Sequence, residues 1–532
     1  MRRVYLVTSG DGRESANAVC WPAQRRLEER LTEVFARFGA ELVRAFPVDP
    51  TRGHGFIRSQ RMGMDIFQGV PPDAPLVVAI AAWQFSHHVL PGLRTHRGPI
   101  LTAGNWSGEW PGLVGLLNLN GSLAKAGVAY STIWSEEYAD EFALGAVKRW
   151  LDTGRVDHDE SHVRSLAAVT LPGAAADLGR RTARALRDRK AILGVFDEGC
   201  MGMYNAVIDD EKLNPLGVYK ERLSQSALLA EMKLVTDAEA EAVLDWLRAR
   251  GMRFVTGTNE ATELTERQLL DQARMYVAAL RIADRFGCDA VGIQYQNGLT
   301  DMAPASDLVE GLLNNPDRPP VMSRDGAREL YAGQALPHFN EVDEGAAVDA
   351  LITNRVWTEL GYDPSTTLHD VRWGADWPAG EFVWLLMISG AAPASHFAGG
   401  YAAASSERQP AMYFPQGGGT LKGVSRPGHV VWSRVYSAGG ALHVDMGLGE
   451  AVELPAEETE RRWRATDPTW PLMHLRTLGV SRDQFMGRHK ANHIQVAYAP
   501  DAAGATRALA AKAAAFDELG VNVHLCGTTG LA

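Results

Sequence analysis

Hydrophobic residues in the first third of the chain come in short unbroken runs that alternate with helical stripes. The runs at residues 4–8, 41–46, 76–82, 100–103 and 130–134 read as strands. Between the first two, Leu27, Leu31, Val34, Phe35 and Phe38 recur at helical spacing and predict a helix over 23–38. Unbroken apolar strands between amphipathic helices predict a parallel sheet covered on both faces. The polar stretch 152–162 reads as a linker. A second series follows, with strands over 191–196, 252–256 and 289–294 and long helices over 239–250 and 266–286, and predicts a second parallel sheet. A helix over 344–360 leads into a region of different character. There, short β-like runs at 430–435 and 441–446 lie among glycine-rich turns, the pattern of an antiparallel sheet or barrel. The chain then returns to a strand (494–499), a helix (504–519) and a strand (521–525).

Length sharpens this picture. A chain of 532 residues is too long for one core, and about three domains are expected. The fold class is therefore α/β. Two N-terminal parallel-sheet, Rossmann-like domains (1–163 and 164–343) precede a C-terminal domain (344–532) with an antiparallel β-barrel element. A net charge of −11, spread along the chain, argues against nucleic acid and against an anionic membrane surface as partners. The longest apolar runs, 74–83 and 382–388, are too short to span a bilayer. The first ten residues carry only a brief apolar stretch before Asp11 and Glu14, so they read as a first strand rather than a signal peptide. The four cysteines are scattered without a Cys-x-x-Cys pair, which fits a reducing, cytoplasmic setting.

Candidate chemistry centres on residues 335–373. Glu341 stands at the mouth of the helix over 344–360, and Asp370 lies in a strand-like segment, 367–372. Two carboxylates at element ends suit an oxygen-rich metal site or an acid/base pair. Asp343 and Glu344 also sit at the helix start, where acids are favoured by the helix dipole, so spacing alone leaves Glu341 and Glu344 as alternatives. Far along the chain, His493 opens directly into a strand. The zinc-protease pattern would need a Glu after His489, and Lys490 stands there instead. One His with two carboxylates suits Mn²⁺ or Mg²⁺ better than a thiolate-seeking metal. The loop Ser9-Gly10-Asp11-Gly12-Arg13-Glu14 follows a strand as a dinucleotide loop would, but Ser15 stands in place of the third glycine. Trp83 ends a buried strand. Gln294 opens an amide-rich segment, and with Asn492 and Ser389 it makes an inventory suited to a polyhydroxy ligand.

Taken in order, several stretches resemble the L-fucose isomerase family. Gly292-Ile293-Gln294-Tyr295-Gln296 leads to Thr300-Asp301-Met302-Ala303-Pro304 and then Glu310-Gly311-Leu312-Leu313-Asn314. Glu341 follows, with Val348 and Leu351 at the family's intervals, then Asp370-Val371-Arg372 and Ala491-Asn492-His493. Softer similarities are Cys200-Met201-Gly202, Ser389-Gly390, Tyr413-Phe414 before three glycines, Asp11-Gly12-Arg13 and Trp83. The chain departs from the family in a longer Glu341–Asp370 interval, with 362–365 as the added segment, and in a shorter stretch after His493.

The resemblance implies an aldose–ketose isomerase working on an open-chain sugar such as L-fucose or D-arabinose through a cis-enediol. It selects Glu341 over Glu344. Glu341 and Asp370 would be the catalytic acid and base and, with His493, would hold Mn²⁺, with Mg²⁺ or Co²⁺ as alternatives. Gln294, Ser389, Tyr413 and Asn492 would hold substrate hydroxyls. Arg13 would join them, and Trp83, from this or a neighbouring subunit, would wall off the far end of the sugar. The family also implies a homo-oligomer, a hexamer or trimer. The competing readings are a sugar-binding protein without chemistry and an NAD-dependent oxidoreductase.

Overall fold

A computed structural model describes residues 2–378 and 380–531. Strands β1 (Arg2–Val7), β2 (Ala40–Arg44), β3 (Leu76–Ile80), β4 (Ile100–Asn105) and β5 (Ser131–Ser135) form one sheet in the order β2-β1-β3-β4-β5. All four pairings are parallel. β3, β4 and β5 are buried along their whole length, as their apolar runs predicted. The first helix begins at Glu14, earlier than expected, and runs to Arg37 with Pro22 inside it. Proline there forfeits a hydrogen bond, but Cys20, Trp21 and Ala23 around it are buried and hold the segment helical.

In this strand order the chain winding reverses between β1 and β3, and such a switch point opens a crevice beyond the carboxyl ends of the two strands. The loops leaving β1 and β3 meet there, with Phe85 N–H donating to the Gly10 carbonyl at 3.0 Å. A Cβ at Gly10 would fall 2.4 Å from Asn17 Oδ1, and one at Gly12 2.9 Å from the Phe85 ring. Packing within the chain thus accounts for the Gly-x-Gly spacing.

Strand β6 (Val163–Ser165) precedes a second sheet made of β7 (Ala191–Phe196), β8 (Val218–Leu223) and β10 (Ala290–Ile293), ordered β10-β7-β8 and parallel throughout. Segment 252–256, expected in this sheet, does not join it. Its strand β9 (Arg253–Phe254) pairs instead with β13 (Ser405–Ser406), and Val255 is 58% exposed, whereas a strand inside a parallel sheet is covered on both faces. The third strand of the sheet is β8, which the apolar pattern missed because it carries Lys220, Glu221 and Arg222. Lys220 is buried among Glu198, Asp210 and Glu344, so its charge is matched.

The remaining strands are β11 (Thr367–Asp376), β12 (Phe382–Met387), β14 (Gly428–Ala438), β15 (Ala441–Ala451), β16 (Leu472–Thr477), β17 (His493–Tyr498) and β18 (Asn522–Cys526). With β6 they form a mixed eight-stranded sheet, ordered β14-β17-β11-β12-β16-β15-β18-β6. β14 also pairs with β15, in register from Gly428↔Ala451 to Ala438↔Ala441. Gly439 and Gly440, both at positive φ, form the two-residue turn between them. This tight hairpin explains why both strands outgrow the expected 430–435 and 441–446. No helix among the described residues is long and apolar enough to cross a membrane.

Candidate functional site

Strand register brings Asp370 and His493 together. In the antiparallel pair β11–β17 they stand directly opposite each other, and His493 Nε2 lies 3.3 Å from Asp370 Oδ1. Glu341 arrives from the second sheet. After β10, Phe339 N–H donates to the Val291 carbonyl at 3.0 Å, and the chain then turns through Asn340–Val342. Glu341 and Val342 both adopt left-handed backbone, at φ +56° and +57°. Such a conformation costs a non-glycine residue roughly 1–2 kcal/mol. It is held on one side by the contact with β10 and on the other by helix Glu344–Leu360. Asp343 caps that helix, its Oδ1 accepting from Ala346 N–H at 3.0 Å. The turn brings Glu341 Oε2 to 3.8 Å from His493 Nε2. Glu344, the alternative by spacing, is directed elsewhere, its carboxylate held by Lys220 at 2.9 Å and Ile208 N–H at 2.6 Å.

His493 is fully buried, and its two ring nitrogens are treated differently. Nδ1 lies 2.7 Å from Asp343 Oδ2, which also accepts from Arg434 Nη1 at 2.6 Å. Burial opposes charge on Asp343, but Arg434 and His493 outweigh it and hold the carboxyl well below the usual range. An ionised partner on Nδ1 keeps a proton there and turns Nε2 toward Asp370 and Glu341. Among the described residues Nε2 meets no partner in hydrogen-bond geometry, although both carboxylates lie within 4 Å. Burial opposes charge on His493 too. The hydrogen bond to Asp343 and the negative charges of Asp370 and Asp343 more than reverse this, raising its pKa from 6.5 to about 10. The carboxylates that favour a proton here equally favour a divalent cation, and the two compete for the same nitrogen.

Among the described residues no group of three or more His, Cys, Asp or Glu side chains is placed so that it could hold a metal ion as it stands. Adjacent ligands of an octahedral ion with ~2.1 Å bonds lie about 3 Å apart. Against that measure Asp370 needs a small side-chain adjustment toward His493 Nε2 and Glu341 a larger one. The donor set is nitrogen and oxygen, of the kind that takes Mn²⁺ or Mg²⁺. On Glu341 itself, burial is the largest influence. It raises the carboxyl from 4.5 to about 7 with help from Asp370, while His493 and Arg13 pull against it.

Glu341 and Asp370 line a cavity that also receives Arg13, Trp83, Ser389 and Tyr413, and it encloses about 620 Å³ of empty space, its open mouth included. Arg13 and Trp83 come from the two switch-point loops of the first sheet, Trp83 within the same chain. The Arg13 guanidinium is forked on Asp11, at 3.0 Å from Nε and 2.8 Å from Nη2, and lies 4.6 Å over the Tyr413 ring. Trp83 Nε1 and the Tyr413 hydroxyl are buried without hydrogen-bond partners among the described residues. Asn492 sits behind the cavity, its Nδ2 3.5 Å from Asp370 Oδ1 and its Oδ1 unpartnered. Gln294 stands apart, outside the cavity lining. Its side-chain oxygen accepts from Gln225 at 3.1 Å, and its nitrogen faces the Glu198 carbonyl at 3.3 Å.

Among the side chains to which the sequence assigned no site role, Asp343, Asp307, Glu310 and Asn340 stand in or behind this cavity. Asp343, read only as an acid at the helix start, orients His493. Asp307, Glu310 and Asn340 line the cavity. Glu310 lay within a family-like stretch and Asn340 next to Glu341, which were the available signals; Asp307 offered none.

No protein-family profile matches the chain, and no curated protein matches it. Among solved structures, an ABC transporter solute binding protein from Agrobacterium vitis, with bound allitol, aligns with 66% of this chain and 89% of its own length at 14% identity. The TM-score of this alignment is 0.19.

Proposed function

We propose that the protein is a divalent-metal-dependent aldose–ketose isomerase of the L-fucose isomerase type, acting on an open-chain aldose such as L-fucose or D-arabinose. The observation that carries this is the meeting of Glu341 and Asp370, on the cavity wall, with His493 behind them, its Nε2 3.8 and 3.3 Å from the two carboxylates and without a hydrogen-bond partner among the described residues. Those three side chains would hold Mn²⁺. When bound, the ion would supply Lewis-acid polarisation of the sugar carbonyl. The chain's own groups do the rest. Of Glu341 and Asp370, one takes the proton from the carbon beside the carbonyl. The other delivers a proton to the carbonyl oxygen, giving a cis-enediol; the first then returns its proton to the former carbonyl carbon while the second takes the proton of the neighbouring hydroxyl, which gives the ketose. The strained turn at Glu341 and the Asp343–His493 contact keep these groups in place. Arg13, Ser389 and Tyr413 hold hydroxyls, Asn492 backs Asp370 from behind the cavity wall, and Trp83 covers the sugar. The return of β14 onto both β15 and β17 supports the barrel element of the same reading. As in that family, the assembly would be a homo-oligomer.

The test is ketose formation from a panel of aldoses, using protein stripped with chelator and resupplied with Mn²⁺. Metal-restored turnover of L-fucose or D-arabinose is expected. A folded, Mn²⁺-loaded protein that converts no aldose would sink the proposal and favour a sugar-binding protein without chemistry.

A further inference from the structure

Resting on that reading, we infer that the loop Gly199–Gly202 is a positioning brace that holds Glu341 on the cavity wall. It lies between the switch-point loop after β3 and the turn that carries Glu341, with Cys200 and Ser86 as its two fasteners. Among the described residues only two places set consecutive non-glycine residues in left-handed backbone. These are Cys200–Met201, at φ +45° and +47°, and Glu341–Val342, at φ +56° and +57°. Far apart in sequence, the two pairs touch in space. The Cys200 thiol donates to the Val342 carbonyl at 2.6 Å, and both residues are fully buried. Gly199 and Gly202, at φ +130° and +78°, flank the first pair, so the loop runs through four positive-φ residues in succession. Backbone of this kind is costly away from glycine and persists only where the surroundings over-determine it.

The other end of the brace is anchored to the first sheet. Ser86, in the short helical turn Ser86–His88 after β3, donates from Oγ to the Gly202 carbonyl at 2.7 Å. That hydroxyl accepts from Tyr204 N–H at 3.1 Å and from the Ser122 hydroxyl at 2.9 Å, so its hydrogen bonding is complete. Gly202 packs so closely on Phe85 that a Cβ there would fall 2.3 Å from the ring. Between the two anchors, Met201 lines the cavity with Trp83 and Glu341. The loop thus joins two parts of the site that come from different sheets. At the Cys200 end the fastener is a thiol that keeps its proton, because burial, Glu344 and Asp343 push it well above the usual range. A cysteine that only filled the core would need the volume of its sulfur. One that fastens a turn needs the S–H donor.

The test compares Cys200→Ala, Cys200→Gly and Cys200→Ser in the aldose assay at saturating Mn²⁺, with circular dichroism to check that each variant is folded. Alanine and glycine remove the donor, and glycine takes φ +45° without strain. Serine restores a donor at nearly the same place. The alanine and glycine variants are expected to lose about tenfold in kcat with KM changed less than about twofold, because proton transfer depends on where Glu341 stands. Serine is expected to bring kcat back to within about threefold of the unaltered protein. Ser86→Ala, at the other anchor, should lower kcat about fivefold. Unchanged kcat in the folded alanine and glycine variants, beside an active unaltered protein, would reduce the loop to packing and overturn this inference alone. A serine variant as slow as the alanine one would do the same, since the volume of the sulfur and not its donor would then matter. Should neither deletion fold, Ser86→Ala decides, and an unchanged kcat there would count against the brace. An unaltered protein that, loaded with Mn²⁺, converts no aldose would overturn the parent reading and this inference with it.

Discussion

Asp445 and Asp307 are both carboxyls buried in the folded chain, and they live in opposite surroundings. Asp445 accepts from Arg488 through both oxygens, at 2.7 and 2.9 Å, and from the Tyr436 hydroxyl at 3.1 Å. Burial opposes its charge, but Arg488 outweighs burial and holds the carboxyl below the usual range. Asp307 Oδ2 has no hydrogen-bond partner among the described residues, and burial drives the carboxyl up to about 8. The first is a closed network that completes itself. The second is an open one that faces a cavity. A buried carboxylate held by an arginine stays charged, whereas one without a cationic partner keeps its proton.

The largest effect that would break this contrast lies on the open side. Glu341→Gln keeps the shape of the turn but removes a proton carrier, and aldose turnover should fall by roughly 10³-fold or more, read as kcat in the Mn²⁺-supplemented assay. Retained turnover would take Glu341 out of the chemistry. On the closed side, Arg488→Met strands the Asp445 charge. It should cost about 3 kcal/mol in urea unfolding, while activity per folded molecule stays at the unaltered level. A stable variant would mean the network is as dispensable as a surface pair.

Asp343 belongs to both kinds of region, since it is closed by Arg434 and yet serves His493. Asp343→Asn should lower Mn²⁺ affinity about 10–100-fold, measured by metal titration, because His493 loses the partner that orients it. An unchanged affinity would leave Asp343 with only its capping role. The smallest effect is a slope. Asp307 titrates at 3.8 unfolded and about 8 folded, so between those values the folded state binds more protons and stability falls as pH rises. Asp307→Asn removes this contribution, and unfolding free energy measured from pH 4 to 8 should decline less steeply than in the unaltered protein. Parallel curves would mean that Asp307 is not the group responsible.

Periodicity carried most of the α/β architecture. The apolar runs of β3, β4 and β7 and the stripes of helices Glu266–Phe286 and Glu344–Leu360 are local properties, read from neighbouring residues. Two segments escaped for non-local reasons. β8 hides charges by pairing Lys220 with acids from elsewhere in the chain, and β9 was claimed by β13 rather than by the second sheet. At the site, Glu341, Asp370 and His493 were visible as residue types at element ends, and Arg13, Trp83, Ser389 and Tyr413 do line the cavity. Gln294 sat in an equally suggestive motif, yet its amide is taken up by Gln225.

By itself, then, the amino-acid order determined which segments become strands and helices and which chemical groups the chain carries, because both depend on residues close in sequence. Only the tertiary structure decided which groups meet. The β11–β17 register set Asp370 against His493, a left-handed turn aimed Glu341 at them, and helix Asp307–Leu313 delivered two carboxyls to the wall of the same cavity. Register, strain and the satisfaction of a buried polar atom are relations between distant parts of the chain, and they exist only once those parts are packed together.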